Sequence, residues 1–234
     1  QAVVSIDPEI DLEALAEGGT VVRGTYVNQR VAVAPMEPSG CAAVPGDDGR
    51  LTFYASNQFP HNVAENLTKA LGREPGSVRV ITPQVGGGFG GKAGVAPEYT
   101  VVAAAALQVG RPVTWHATRS EDLLSLPHSR AQVQYAELAV RPDGTFAALR
   151  VQLVGDAGSY PTIGAFLPAG TKRMSHGTYN FDAIQFDVAV AVTNTNATGA
   201  YRGAGRPEAT ALLERLVDQA AIETGIDPIE IRRR

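Results

Sequence analysis

The sequence predicts an α+β domain, a layered mixed sheet with packed helices. About seven strand-like and five helix-like segments neither alternate strictly nor segregate into blocks. Residues 131–140 and 146–158 flank "RPDG", whose proline and glycine suit the second and fourth positions of a type I turn, so an antiparallel hairpin is expected there. Segments with apolar residues at helical spacing end on glycine, as at Gly72 and Gly225.

In chain order, residues 20–34 and 51–56 are rich in β-branched and aromatic residues. With the turn chemistry of "PGDDGR" between them they predict a hairpin or meander. "PHNVAENLTKALG" sets Val63, Leu67, Ala70 and Leu71 on one helical face, with Pro60 at the start and Gly72 past the end. "SVRVIT" reads as a buried strand, and "APEYTVVAAAALQVG" as a helix apolar almost all round, hence central. "RPVTWHAT" predicts a strand and "RSEDLL" a short helix capped by Ser120. Residues 155–178 are glycine-rich and long for a connection, which marks a functional or partner-contacting loop. A further strand is expected within 181–195, then a long amphipathic helix from Pro207, closed by Gly225. A last helix follows, with Asp227 as N-cap, Pro228 at its first position and Glu230 at its third.

The chain has 234 residues, 44% hydrophobic and 19% charged, and a formal charge of -4. Twenty basic residues spread along its length make no footprint for nucleic acid or an anionic membrane. No apolar run reaches the ~18 residues of a membrane span. A soluble, cytoplasmic protein is expected. Gln1 in place of an initiator Met suggests processing or a piece of a longer chain. The lone Cys41 can make no internal disulfide and reads as a small buried strand residue. His61, His116, His128 and His176 are scattered and read as structural or exposed.

The most unusual stretch is "QVGGGFGGK", residues 84–92. Consecutive glycines permit positive φ and present successive N–H groups as an anion-binding concavity. Phe89 within the run reads as a wall against a ligand, or else as a plug anchoring the loop. Gly86, Gly88 and Gly91 satisfy a dinucleotide pattern, and Gly91-Lys92 nearly satisfies a phosphate loop, but a glycine run satisfies many templates. Ala93 stands where a phosphate loop needs Ser or Thr, Pro83 interrupts the preceding strand, and the helix starts only near Pro97. A glycine-loop nucleotide-binding module without redox chemistry remains the alternative reading.

Two further stretches bear on the ligand. "YASNQFPH" puts Gln58 between a strand end and a helix start, where its amide can reach into a cleft. "NATGAYRGAGRPEA" sets Tyr201 and Arg202 among small residues before the long helix, converging amides and a guanidinium. Together and in this order, "APMEP", "ASNQFPH", "VGGGFGGK", "DAGSY" and "GAYRGAGRPEA" resemble the large subunit of the xanthine dehydrogenase, aldehyde oxidase and carbon monoxide dehydrogenase family of molybdenum hydroxylases. The likeness is to the bacterial branch carrying AYRGAGR, and it spans essentially the whole chain.

The resemblance implies that residues 1–234 are the N-terminal half of a molybdopterin-binding domain. The cofactor would be a molybdenum pyranopterin, in the cytosine dinucleotide form usual in bacteria. Its implied contacts are Gln58, Gly87, Gly88, Phe89, Gly90 and Gly91 in the first loop, and Ala200, Tyr201, Arg202 and Gly203 in the second. Gln58, Phe89 and Arg202 would lie near the metal without coordinating it. The implied reaction is hydroxylation of an aldehyde or N-heterocycle with oxygen from water, electrons leaving through iron–sulfur clusters to FAD on partner domains or subunits. The catalytic glutamate is expected C-terminal to this chain, so the isolated piece is expected to be inactive. Glu98, Glu121 and Glu208 match no catalytic motif and read as helix or surface charges.

Departures from the family's patterns narrow the substrate. Purine-hydroxylating members carry Glu directly after GGGFGGK, Arg nine residues before the tyrosine matching Tyr179, and an aromatic two residues after the AYRG arginine. Here stand Ala93, Gly170 and Ala204. A buried purine would leave its ring nitrogens unpaired, unless Lys172 or Arg173 substitutes. Carbon monoxide dehydrogenases place a copper-binding cysteine where this chain has Gly203, which cannot bind copper.

Overall fold

A computed structural model describes residues 2–234, with side chains from residue 6 onward. The chain opens with β1 (Ala2–Ser5), α1 (Leu12–Ala16) and β2 (Thr20–Asn28). It continues through β3 (Gly40–Pro45), β4 (Leu51–Ala55), α2 (Pro60–Ala70), β5 (Val78–Ile81), α3 (Pro97–Val109), β6 (Val113–His116) and α4 (Arg119–Ser125). Then come β7 (Gln132–Val140), β8 (Phe146–Gly158), a 3-10 turn at Ile163–Phe166, α5 (Leu167–Arg173), β9 (Ala183–Val192), α6 (Arg206–Thr224) and α7 (Pro228–Ile231). These form two compact units: Ala32–Pro127, and the flanking segments up to Val31 and from His128 onward.

The flanking segments build a five-stranded sheet in the order β1-β9-β8-β7-β2, antiparallel except for the β8–β9 pair. The expected β7–β8 hairpin is present, and its turn is closed by Gly144 N–H donating to Arg141 O at 2.8 Å. Helix α6 lays Leu212, Leu213, Leu216, Val217, Ala220 and Ala221 on one face, at helical spacing. That face packs on Val22, Leu138, Leu149, Val151, Phe186 and Val188 of the sheet. Leu12 and Ala16 of α1 pack with Ala139, Ala147 and Ala148. Toward its start, β7 replaces apolar residues on the core face by Gln132 and Gln134, both buried. Gln134 Nε2 donates to Gln132 Oε1 at 3.1 Å, and Thr171 Oγ1 donates to the same oxygen at 3.2 Å.

The Ala32–Pro127 unit holds a four-stranded sheet in the order β5-β4-β3-β6. β4, α2 and β5 make a parallel crossover, while the other pairs are antiparallel. Val63 and Leu67 of α2 and Tyr99, Val102, Ala103 and Ala106 of α3 close a core over Leu51 and Phe53.

Several sequence expectations are corrected here. The "PGDDGR" turn joins β3 to β4; residues 20–28 instead pair with β7 in the other unit, so the strand before the turn was missed and no 20–34/51–56 hairpin forms. Helix α3 buries one face only, since Val101 is 67% exposed. Strand β5 is an edge with Val78 alone buried. Thr118, not Ser120, caps α4, through a capping box with Glu121. Residues 155–178 contain the end of β8, the 3-10 turn and α5. Asp227 caps α7 as expected, accepting from Ile229 and Glu230 N–H. Cys41 lies buried in β3, and burial pushes its thiol up to about 12.

Candidate cofactor-binding site

In the Ala32–Pro127 unit, Gln58 and the 86–92 loop form one local structure. Gln58 N–H donates to Lys92 O at 2.9 Å, and Asn57 Nδ2 donates to Gly94 O at 2.7 Å, so the segment after β4 is fastened along the loop. Gln58 Oε1 then accepts the Gly90 N–H at 2.8 Å. That bond fixes the carboxamide's orientation: the oxygen faces the loop, and the Nε2 donor is left for another acceptor.

The glycines owe their identity first to the protein's own packing. A Cβ at Gly88 would stand 2.5 Å from Gln58 Oε1, at Gly86 2.6 Å from Glu37 Cβ, and at Gly91 3.0 Å from Val33 Cβ. At Gly87 it would meet the Phe89 ring at 2.7 Å. Gly87, Phe89 and Gly90 have φ of 106°, 51° and 100°. A positive φ at a phenylalanine costs about 1–3 kcal/mol. Its ring lies beside Gly87 and the residue is 46% exposed, so it is not a buried plug. Among the described residues, the N–H groups of Gly87, Gly88 and Phe89 donate to no protein acceptor. Three successive unpaired amides beside a carboxamide donor and an exposed aromatic ring make a cradle for a polar or anionic organic group.

Behind this loop lies Lys92, whose side chain is 1% exposed. Its Nζ donates to Glu37 O at 2.8 Å, Ser56 Oγ at 2.7 Å, Glu37 Oε2 at 3.1 Å and Pro38 O at 3.4 Å. Glu37 Oε2 also accepts from Gly86 N–H at 2.7 Å and Ser56 Oγ at 2.8 Å. Burial alone would raise the Glu37 carboxyl, but the bonds from Ser56, Gly86 and Lys92 outweigh it and hold the acid below its ordinary value. A phosphate loop needs its lysine at the ligand, and this one points inward. No helix opens on the glycines either, because α3 starts at Pro97. The nucleotide-binding alternative has no support here.

The second loop belongs to the other unit and precedes α6. Gly203, Ala204 and Gly205 all have positive φ, at 99°, 44° and 98°. A Cβ at Gly205 would lie 2.7 Å from the Gly170 and Thr171 backbone. The N–H groups of Ala200, Tyr201, Arg202 and Gly203 donate to no protein acceptor among the described residues, and the exposed Arg202 guanidinium likewise. Arg130, itself at φ 66°, donates to Arg202 O at 2.9 Å and lies over the Tyr201 ring at 4.9 Å. It also pairs with Glu208 Oε2 at 2.9 Å, and that oxygen accepts the Gly205 N–H at 3.0 Å. Glu208 is fully buried and not a surface charge.

The structure therefore brings Gln58 together with the first loop, and sets Tyr201, Arg202 and Gly203 in a separate local arrangement. Sequence reasoning gave no role to Glu37, Lys92, Arg130, Gln132 or Gln134. "APMEP" was visible as a motif, but nothing in its pattern says which cation Glu37 meets. Lys172, weighed as a substrate contact, is tied to Asp7 at 2.6 Å. Among the described residues no group of three or more His, Cys, Asp or Glu could hold a metal ion, and no helix is long and apolar enough to cross a membrane. The donors at both loops suit a cofactor bound through its organic part, not a metal held directly by side chains.

A family model described as the molybdopterin cofactor-binding domain matches residues 7–234. The nicotine 6-hydroxylase large subunit of Paenarthrobacter nicotinovorans is 35% identical over 227 residues, 95% of this chain and 28% of that one. The carbon monoxide dehydrogenase large chain of Hydrogenophaga pseudoflava is 35% identical over 213 residues, 88% of this chain and 26% of that one. The crystal structure of quinoline 2-oxidoreductase from Pseudomonas putida 86 superposes with a TM-score of 0.91 at 32% identity, covering 99% of this chain and 30% of that one. The chain thus spans under a third of the length of these relatives. The family model spans nearly the whole sequence and the fold agrees with that of the solved relative, so the chain belongs to the molybdopterin cofactor-binding domain family.

Proposed function

We propose that this chain is the molybdopterin-binding part of an oxidoreductase that hydroxylates an aldehyde or N-heterocycle with water-derived oxygen. The observation that carries the reading is the set of free amides at Gly87, Gly88 and Phe89 beside the oriented Gln58 carboxamide. Gln58, residues 87–91 and residues 200–203 bind the cofactor. Gln58 Nε2 donates to an oxygen on it, Phe89 shields one side, and Arg202 supplies positive charge to its anionic part. The bound group supplies two-electron redox chemistry at molybdenum. A pyranopterin with a cytosine dinucleotide is the form proposed, with iron–sulfur clusters and FAD on partner subunits or domains, and a catalytic glutamate in a C-terminal half of the same subunit. The assembly is placed in the cytoplasm.

Local packing supports a substrate other than purine or carbon monoxide. A Cβ at Gly170 would already stand 3.0 Å from Ala204 O, which leaves little room for an arginine there. At Gly203, φ is +99° and a Cβ would meet the Pro207 ring at 2.6 Å, so a copper-binding cysteine would be strained.

The test is metal and pterin analysis of the full-length large subunit, with substrate-dependent dye reduction measured on aldehydes and N-heterocycles. Stoichiometric molybdenum and pterin are expected, and neither from the 234-residue chain alone. A bound nucleotide without metal would contradict the reading.

A further inference from the structure

Each glycine loop is held by a carboxylate, and each carboxylate is paired with a base largely withdrawn from solvent, Lys92 at 1% and Arg130 at 13% side-chain exposure. In the first, Glu37 and Gly86 exchange two bonds: Glu37 N–H donates to Gly86 O at 3.1 Å, and Gly86 N–H donates to Glu37 Oε2 at 2.7 Å. Lys92, at the loop's far end, returns to the same carboxylate, so the loop is closed at both ends on one residue. In the second, Glu208 Oε2 takes the Gly205 N–H, and Arg130 bridges that oxygen to Arg202 O while covering Tyr201. The two devices use different chain segments and different bases, yet share one plan. In both, the carboxylate accepts a loop N–H outside the unpaired set, and the base donates both to that carboxylate and to a backbone carbonyl.

We propose that Glu37 with Lys92, and Glu208 with Arg130, are two matched positioning pairs that set the free amides of the loops for the cofactor without touching it. The inference rests on the cofactor reading above and adds residues that reading does not use. The physical reason is the positive φ at Phe89 in the first loop and at Ala204 in the second, where a side chain makes that backbone costly. Such backbone persists only where surrounding bonds over-determine it. A carboxylate that accepts a loop N–H while paired to a cation largely withdrawn from solvent is strong enough to do so.

The experiment uses the intact protein carrying this chain, with molybdenum and released pterin measured per folded chain. Glu37→Ala and Arg130→Leu are compared with two core-cavity controls, Leu67→Ala and Leu216→Ala, which lower stability without contacting either loop. Hydrogen exchange is followed in the peptides covering residues 84–92 and 199–206. Each pair variant is expected to lose about tenfold or more of its cofactor content, in line with supporting residues elsewhere. Its own loop should exchange faster, while the controls stay loaded. Glu37→Gln, which keeps an oxygen for the Gly86 N–H, should retain more cofactor than Glu37→Ala. Equal loading of pair variants and controls at matched thermal midpoints overturns the proposal alone. A wild-type protein without molybdenum or pterin overturns it together with the cofactor reading.

Discussion

Gln58 Oε1 accepts the Gly90 N–H at 2.8 Å, and that bond decides which end of the carboxamide a ligand meets. Glutamate at this position could still accept from Gly90 but would offer no donor. Gln58→Glu is therefore expected to leave the thermal midpoint nearly unchanged, since the residue is exposed, while lowering cofactor content about tenfold. Molybdenum analysis beside a thermal melt separates the two effects.

Two glycines in the first loop should respond differently to a methyl group. At Gly88 the Cβ meets the flexible side chain of exposed Gln58 from Cγ to Oε1, so Gly88→Ala should cost only about 0.5–1.5 kcal/mol while displacing the carboxamide. At Gly86 it meets Glu37 Cβ, close to that residue's backbone, and Gly86→Ala should cost about 1–3 kcal/mol. Urea midpoints of the two variants check the ranking.

The second loop is less forgiving. Gly205 combines φ of +98° with backbone atoms of Gly170 and Thr171 at 2.7 Å from a Cβ. Gly205→Ala should cost about 3 kcal/mol or more, comparable to the cavity left by Leu216→Ala in the core of the same unit. Chemical denaturation of both variants gives the comparison.

Glu37 makes part of the stability depend on pH. Its folded value lies below the ordinary 4.5, so its contribution is fully present above that pH and is lost as pH falls through the lower folded value. The stability gap between wild type and Glu37→Gln should be flat from about pH 6 upward and shrink on acidification below about pH 4.5. Urea midpoints across that range measure it, and a gap that widens toward acid would contradict the assignment.

Much of the fold could be read from periodicity and punctuation. Helix α6 shows its buried face at regular spacing and ends on Gly225, and the β7–β8 hairpin announces itself through "RPDG". What could not be read were pairings between distant segments: residues 20–28 look the same whether they join β4 or β7, and only packing settles it. Strand β3, "GCAAVP", carries too few β-branched residues to stand out. Candidate loops were legible because glycine runs are rare. Their supports were not, since Arg130, Glu37 and Lys92 are ordinary charged residues until the fold sets them beside a loop. The reason for the glycines was only partly anticipated, because Gln58, Glu37 and Val33 crowd the backbone before any ligand does.

The most direct measurement is an anomalous difference map at the molybdenum edge from crystals of the intact, loaded protein. A single peak beside the Gln58 side chain and the Phe89 ring is the predicted result. A peak remote from both, with the Gly87, Gly88 and Phe89 amides facing only solvent, would contradict the account.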